Sequence, residues 1–105
     1  MIRVLIVDDH PIVQEGFKQI LAETPDIKYV DVASSGNEAI KKIREGHYDV
    51  IVLDISLPDI SGLDVLQLVK TEKPDIPVLV LSIYPEKIYG IQTLKAGASG
   101  YITKE

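Results

Sequence analysis

The stretch from Asp49 to Gly62 constrains this chain more than any other: Asp-Val-Ile-Val-Leu-Asp-Ile-Ser-Leu-Pro-Asp-Ile-Ser-Gly. An aliphatic run, Val50, Ile51, Val52 and Leu53, proceeds without polar alternation and stops at a carboxylate, Asp54. A run apolar on both sides suits a strand buried on both faces, the condition of a parallel sheet covered by helices. Asp54 then stands where the strand surfaces at its C-terminal end, with two turn-formers, Pro58 and Gly62, beyond it. That edge is where open α/β sheets bind their ligands.

The rest of the chain alternates strand and helix signals. Ile2 to Val7 reads as an apolar strand ending in Asp8-Asp9, and Pro11 suits the first turn of a helix carrying Val13, Phe17, Ile20 and Leu21. Tyr29 to Ala33 predicts a second strand. Ser35 and Glu38 form a capping-box pattern before Ala39, Ile40 and Ile43, and Gly46 closes that helix. Leu63, Leu66 and Val69 carry a third helix that Pro74 ends. Pro77 to Leu81 is a fourth strand reaching Ser82, and Pro85 opens a fourth helix through Ile88, Ile91 and Leu94 that Gly97 stops. Gly90 inside that helix costs about 1 kcal/mol against alanine, making it the least rigid of the four. Ala98 to Thr103 is a short fifth strand, followed by Lys104 and Glu105.

Repeated βα steps imply a parallel sheet with right-handed crossovers, which bring every strand's C-terminal end to one edge. The expected fold is α/β, a flavodoxin-like, doubly wound five-stranded parallel sheet of order 2-1-3-4-5. That order places strands one and three side by side, so Asp8, Asp9 and Asp54 meet in one crevice flanked by Ser82 and Lys104. No helix signal follows the fifth strand. The face carrying the first helix is therefore expected to be thinly covered and to expose apolar surface, as in a piece cut from a longer polypeptide or, less favoured, a face covered by a partner chain.

Composition removes several alternatives. At 105 residues with 46% apolar content, the chain supports one domain with a core. A formal charge of −5 offers no footprint for nucleic acid or anionic membrane. Without cysteine there is no disulfide, thiolate nucleophile or zinc knuckle. The first residues turn acidic too soon for a signal peptide, and no apolar run reaches membrane-spanning length, so a cytoplasmic location is expected.

Three carboxylates about 5 Å apart repel by roughly 3 kcal/mol per pair at an effective dielectric near 20. Either one takes a proton or a cation moves in. Hard oxygen ligands suit Mg2+, which retains water and commonly bridges carboxylate and phosphate. A carboxylate beside such an ion can attack phosphorus to give an acyl phosphate. Charge gathered on the phosphoryl oxygens then calls for a cation, a lysine and small donors.

These residues together resemble a family. Asp8-Asp9 after strand one, Asp54 after strand three, Pro58, Gly62, Ser82 and Lys104 look like the receiver domain of two-component response regulators. Val7-Asp8-Asp9-His10-Pro11 and Ala96-Gly97-Ala98-Ser99-Gly100-Tyr101-Ile102-Thr103-Lys104 resemble the NarL/FixJ-type subgroup. The resemblance covers residues 1–105 as one receiver domain without a final helix or an output domain. It implies that Asp54 accepts a phosphoryl group from a sensor histidine kinase. It also implies that Mg2+ is held by Asp9, Asp54 and the Ser56 backbone carbonyl, with Asp8 acting through water. Lys104 would pair with the phosphoryl oxygens, Ser82 would swing in to bond one of them, and Tyr101 would turn inward with it. Relatives of this subgroup carry a helix-turn-helix DNA-binding domain and dimerise when phosphorylated. Glu105 stands where many receivers have a proline.

Plainer readings accompany each residue. Asp8 and Asp9 taken singly would be helix caps, Asp59 and Asp64 turn and helix-start residues, and Ser82 a cap before Pro85. His10 reads as a helix-start residue beside the pocket, since an oxygen-rich site does not select imidazole. His47 falls in a remote turn. Tyr84, Tyr89 and Tyr101 fit amphipathic packing, and Gly36, Gly46 and Gly97 fit backbone punctuation. The leading function is a phosphorylation-driven switch in transcription regulation. The alternative is a Mg2+-dependent Asp-nucleophile phosphatase or phosphotransferase, against which Ser56 counts because such enzymes usually need a second acid/base carboxylate near the nucleophile. A flavodoxin-like binding module would place a nucleotide phosphate against three carboxylates.

Overall fold

The computed structural model describes residues 2–82, 95 and 97–103. Among these residues eight elements follow in order: β1 (Ile2–Val7), α1 (Pro11–Ala22), β2 (Ile27–Ala33), α2 (Gly36–Glu45), β3 (Val50–Asp54), α3 (Gly62–Glu72), β4 (Val78–Ser82) and β5 (Gly100–Thr103). The strands form one parallel sheet of order β2-β1-β3-β4-β5, as the alternation of strand and helix signals predicts. The helix expected from Pro85 to Leu94 lies outside the described residues, as do Tyr84, Tyr89 and Lys104.

Boundaries shift where local signals are weak. β2 begins at Ile27, earlier than Tyr29, with a register irregularity between Ile2 and Arg3 at its start. β5 begins at Gly100 instead of Ala98, where pairing with Leu79 starts. Pro11 occupies the first turn of α1, and Ser61, which the sequence left unassigned, caps α3 by accepting from Leu63 N at 3.2 Å. The capping box at α2 is offset by one residue. Ser35 Oγ accepts from Glu38 N at 3.1 Å, but the Glu38 carboxylate takes Ser34 N at 2.6 Å, not the N–H of Ser35. Gly46 ends α2 in an extended conformation, its N–H donating to Lys42 O.

The two faces of the sheet are covered unequally. α2 and α3 pack over Leu5, Val7, Ile51, Leu53, Val78 and Val80, closing a core with Ile43, Val65, Leu66 and Val69. On the other face, Phe17 and Leu21 of α1 cover Val4, Ile6, Val52 and Leu81. α1 contributes no fully buried residue among those described. Tyr101 packs on the larger core, so strand alternation turns Ile102 to the α1 face, where it is 47% exposed.

Candidate functional site

Five strands deliver their C-terminal ends to one edge, and the register fixes what meets there. Val7 pairs with Leu53, so the residues just beyond, Asp8 and Asp54, are neighbours across β1 and β3. Asp54 pairs with Leu81, placing Ser82 one step further along β4, and Ser82 pairs with Thr103 of β5. Asp8, Asp54 and Ser82 are each buried to within 1% exposure, whereas Asp9 lies at the mouth. Lys104 lies outside the described residues. Tyr101, paired with Val80, is half-buried against the core beneath α2 and α3.

The backbone around Asp54 is held closely. Ser56 N donates to Asp54 Oδ1 at 2.9 Å, fixing the carboxylate's orientation. The Ile55 carbonyl accepts from Leu57 N at 3.2 Å and Gly62 N at 2.8 Å, folding the loop after β3 back on itself. Gly62 is more than a turn-former. A Cβ there would stand 2.3 Å from the Asp54 carbonyl oxygen and 2.6 Å from Ile55 Cα, so only glycine lets α3 start against the functional strand.

Asp8 and Asp9 do not cap α1. The N-cap is His10, which makes no side-chain cap bond. Instead Asp8 Oδ1 accepts from His10 N at 2.8 Å and faces His10 Nδ1 at 2.7 Å. That nitrogen is also 3.2 Å from Asp9 Oδ1 and 3.8 Å from Asp54 Oδ2. The imidazole thus stands among the carboxylates, closer than the sequence placed it. Gln14, which sequence reasoning passed over, donates from its side-chain amide to the Asp8 carbonyl and, at 3.1 Å, to Ser34 Oγ, bracing the loop after β1. Its signal was too weak to find, because a glutamine on a helix face usually points to water.

One ligand atom from each of Asp8, Asp9, His10 and Asp54 lies within 4.8 Å of every other. Two donors on one hard cation at about 2.1 Å each can stand some 4 Å apart, so this oxygen-rich set fits a divalent ion of the Mg2+ class. Asp59 and His47 lie elsewhere. Asp59 accepts from Gly36 N and Asn37 N, both at 2.8 Å. These two amides, the larger causes, with the Ile60 N–H, hold its carboxyl below the ordinary range. His47 lines a cavity of about 450 Å3 at the opposite strand edge, with Tyr48, Asp49 and Lys73.

Residues 4–105 match the response regulator receiver domain family. This chain belongs to that family. Within it, the receiver falls in the FixJ/NarL subgroup. Response regulator GacA of Pseudomonas viridiflava is 40% identical over 104 residues, covering 99% of this receiver and 49% of GacA. Transcriptional regulatory protein DegU of Brevibacillus brevis is 38% identical over 104 residues, covering 99% and 44%. The chain spans about half the length of the curated relatives it matches. Among solved structures, response regulator TrrA of Thermotoga maritima in complex with Mg2+-BeF aligns with a TM-score of 0.87 and 37% identity, covering 100% of this receiver and 88% of that chain. A receiver of this kind is a signalling domain, not a classical enzyme. No helix among the described residues is long and apolar enough to cross a membrane.

Proposed function

We propose that residues 1–105 act as a single receiver module in which Asp54 accepts a phosphoryl group from a sensor histidine kinase. The convergence of Asp8, Asp9 and Asp54 at one strand edge carries this reading. Asp9, Asp54 and the Ser56 backbone carbonyl would hold Mg2+, with Asp8 acting through water; the ion supplies neutralising charge at the phosphoryl oxygens. An Asp54 carboxylate oxygen attacks phosphorus, a P–O bond forms, and the P–N bond of phosphohistidine breaks. The electron pair leaves with the imidazole nitrogen, and the aspartyl phosphate remains on the chain.

Each neighbouring residue has a task in this reading. The Ser56 N–H, 2.9 Å from Oδ1, presents the nucleophile in one orientation before the donor arrives. Lys104 pairs with the new anionic oxygens, and Ser82, fully buried one step past Asp54's partner Leu81, donates its hydroxyl to one of them. Tyr101, half-buried on β5, follows Ser82 inward and biases an existing two-state equilibrium. The output is transcription control through a DNA-binding segment outside these residues, with homodimerisation on phosphorylation and a cytoplasmic setting. DegU, a transcriptional regulator by name, supports that output class.

Intact-mass spectrometry after incubation with Mg2+ and acetyl phosphate tests the reading. One phosphoryl group is expected on the protein, absent in Asp54→Asn and in EDTA. A folded, metal-binding protein that gains nothing, or an Asp54→Asn variant that gains as much, would overturn it.

A further inference from the structure

Asp59 follows Asp54 by five positions, in the loop that contains Ser56, and its side chain bonds both its own loop and the start of α2. Oδ1 accepts from Gly36 N at 2.8 Å and from Ile60 N at 2.9 Å; Oδ2 accepts from Asn37 N at 2.8 Å. Gly36 and Asn37 are the first two residues of α2, and their N–H groups have no partner within a helix. Ser35 Oγ takes the next amide, Glu38 N. The N-terminus of α2 is therefore capped jointly, by its own Ser35 and by a carboxylate from the loop after β3.

A second observation, independent of the hydrogen bonds, shows how closely loop and helix fit. A Cβ on Gly36 would stand 2.2 Å from Ile60 Cγ1 and 3.2 Å from Asp59 Oδ1. The loop is thus pinned at two points: at Gly62, against the Asp54 carbonyl, and at Asp59, on α2. Ser56 lies between Asp54 and the Asp59 anchor, so the span that would offer a backbone oxygen to the ion is held from both sides.

We propose that Asp59 is a positioning residue: it fastens the loop after Asp54 to α2, so that cation binding in the carboxylate crevice and order at the α2 N-terminus stabilise each other. This rests on the Mg2+ site of the proposed function. Coupling of this kind is reciprocal. If the Asp59 anchor favours the ion, the ion favours the anchor by the same factor. It gives the site a second mechanical contact, on α2, separate from the Ser82 and Tyr101 side.

The test compares two ways of uncapping one helix. Asp59→Ala removes the anchor and the cap together, whereas Ser35→Ala removes a cap on the same helix end without touching the loop. Both should lower the thermal midpoint. Only Asp59→Ala should weaken Mg2+ binding by calorimetry, by about three- to tenfold. Ser35→Ala should stay within about twofold of the unsubstituted protein. Asp59→Asn, which retains an Oδ1 acceptor, should fall between. Saturating Mg2+ should slow hydrogen exchange at Gly36 and Asn37 in the unsubstituted protein and not in Asp59→Ala. Unchanged Mg2+ affinity in Asp59→Ala, or an equal loss in Ser35→Ala, would overturn the inference while leaving the Mg2+ site intact. If the unsubstituted protein bound no Mg2+, the reading of the crevice itself would fall, and the coupling with it.

Discussion

Asp31, midway along β2, and Asp54, at the end of β3, carry the same carboxyl group in opposite surroundings. Asp31 is answered from within the chain. Tyr48 donates its hydroxyl to Oδ2 at 2.8 Å, Lys42 Nζ donates to Oδ1 at 3.0 Å, and Val32 N donates to Oδ1 at 2.8 Å. Burial alone would raise this carboxyl, but these donors, led by Tyr48, hold it below its ordinary value. The Tyr48 hydroxyl is pushed well above its own usual value, by burial first and by Asp31 second. Asp54 instead shares its crevice with Asp8 and Asp9, and the His10 ring nitrogen lies 3.8 Å from its Oδ2. Asp31 is held by three donors of the chain, whereas Asp54 stands within reach of two further carboxylates, a setting that favours a cation. The two differ in burial as well as in neighbours: the Asp31 side chain is 25% exposed and that of Asp54 1%.

Several substitutions sharpen or break that contrast. The largest effect is expected at Asp54→Asn, which should abolish phosphoryl uptake. In metal-free buffer it should also stabilise the fold by about 1–2 kcal/mol, because it relieves carboxylate repulsion. Asp31→Asn should do the reverse, destabilising by about 1–3 kcal/mol in urea titrations and leaving phosphoryl uptake unchanged. Gly62→Ala tests the backbone that presents Asp54. Its Cβ would meet the Asp54 carbonyl at 2.3 Å, and a cost of about 1–3 kcal/mol with slowed phosphorylation is expected. Tyr48→Phe should cost about 1 kcal/mol by removing one bond to Asp31.

The pH dependence follows from the same set. Asp31's folded pKa lies below its ordinary 3.8, so its contribution is present above that value and lost as pH falls through the lower folded one. Tyr48's folded pKa lies above its ordinary 10.0, so its contribution is present below that value and lost as pH rises beyond it. Tyr48→Phe should flatten the alkaline limb of a stability–pH curve. The smallest effect is expected at the exposed Arg44–Glu72 pair, joined at 2.7 and 3.0 Å. Glu72→Gln should shift the thermal midpoint slightly, and the shift should vanish in high salt.

Much of this arrangement was legible because it depends on local pattern. The uninterrupted run Val50–Leu53, the acidic pair after Val7 and Ser82 after Leu81 each mark a strand's C-terminal end, and parallel topology alone collects those ends. What stayed hidden depends on contacts between distant segments. Gly62 reads as a turn residue until the Asp54 carbonyl is seen against it, and Asp59 reads as a loop acid until Gly36 and Asn37 are placed beside it. The internal partners of Asp31 come from positions 11 and 17 residues away. His10 was judged by ligand preference, which says nothing about where an N-cap side chain rests.

On the proposed reading, the Asp8, Asp9 and Asp54 crevice takes a divalent cation, whereas Asp31 is held by Tyr48, Lys42 and Val32. The thermal midpoint with and without saturating Mg2+, for the unsubstituted protein, Asp9→Asn and Asp31→Asn, tests it most directly. A ligand that binds only the native state raises stability with its concentration. Mg2+ should therefore raise the midpoint of the unsubstituted protein and of Asp31→Asn by the same amount, and leave Asp9→Asn nearly unmoved. An equal rise in all three, or none in the unsubstituted protein, would contradict the account.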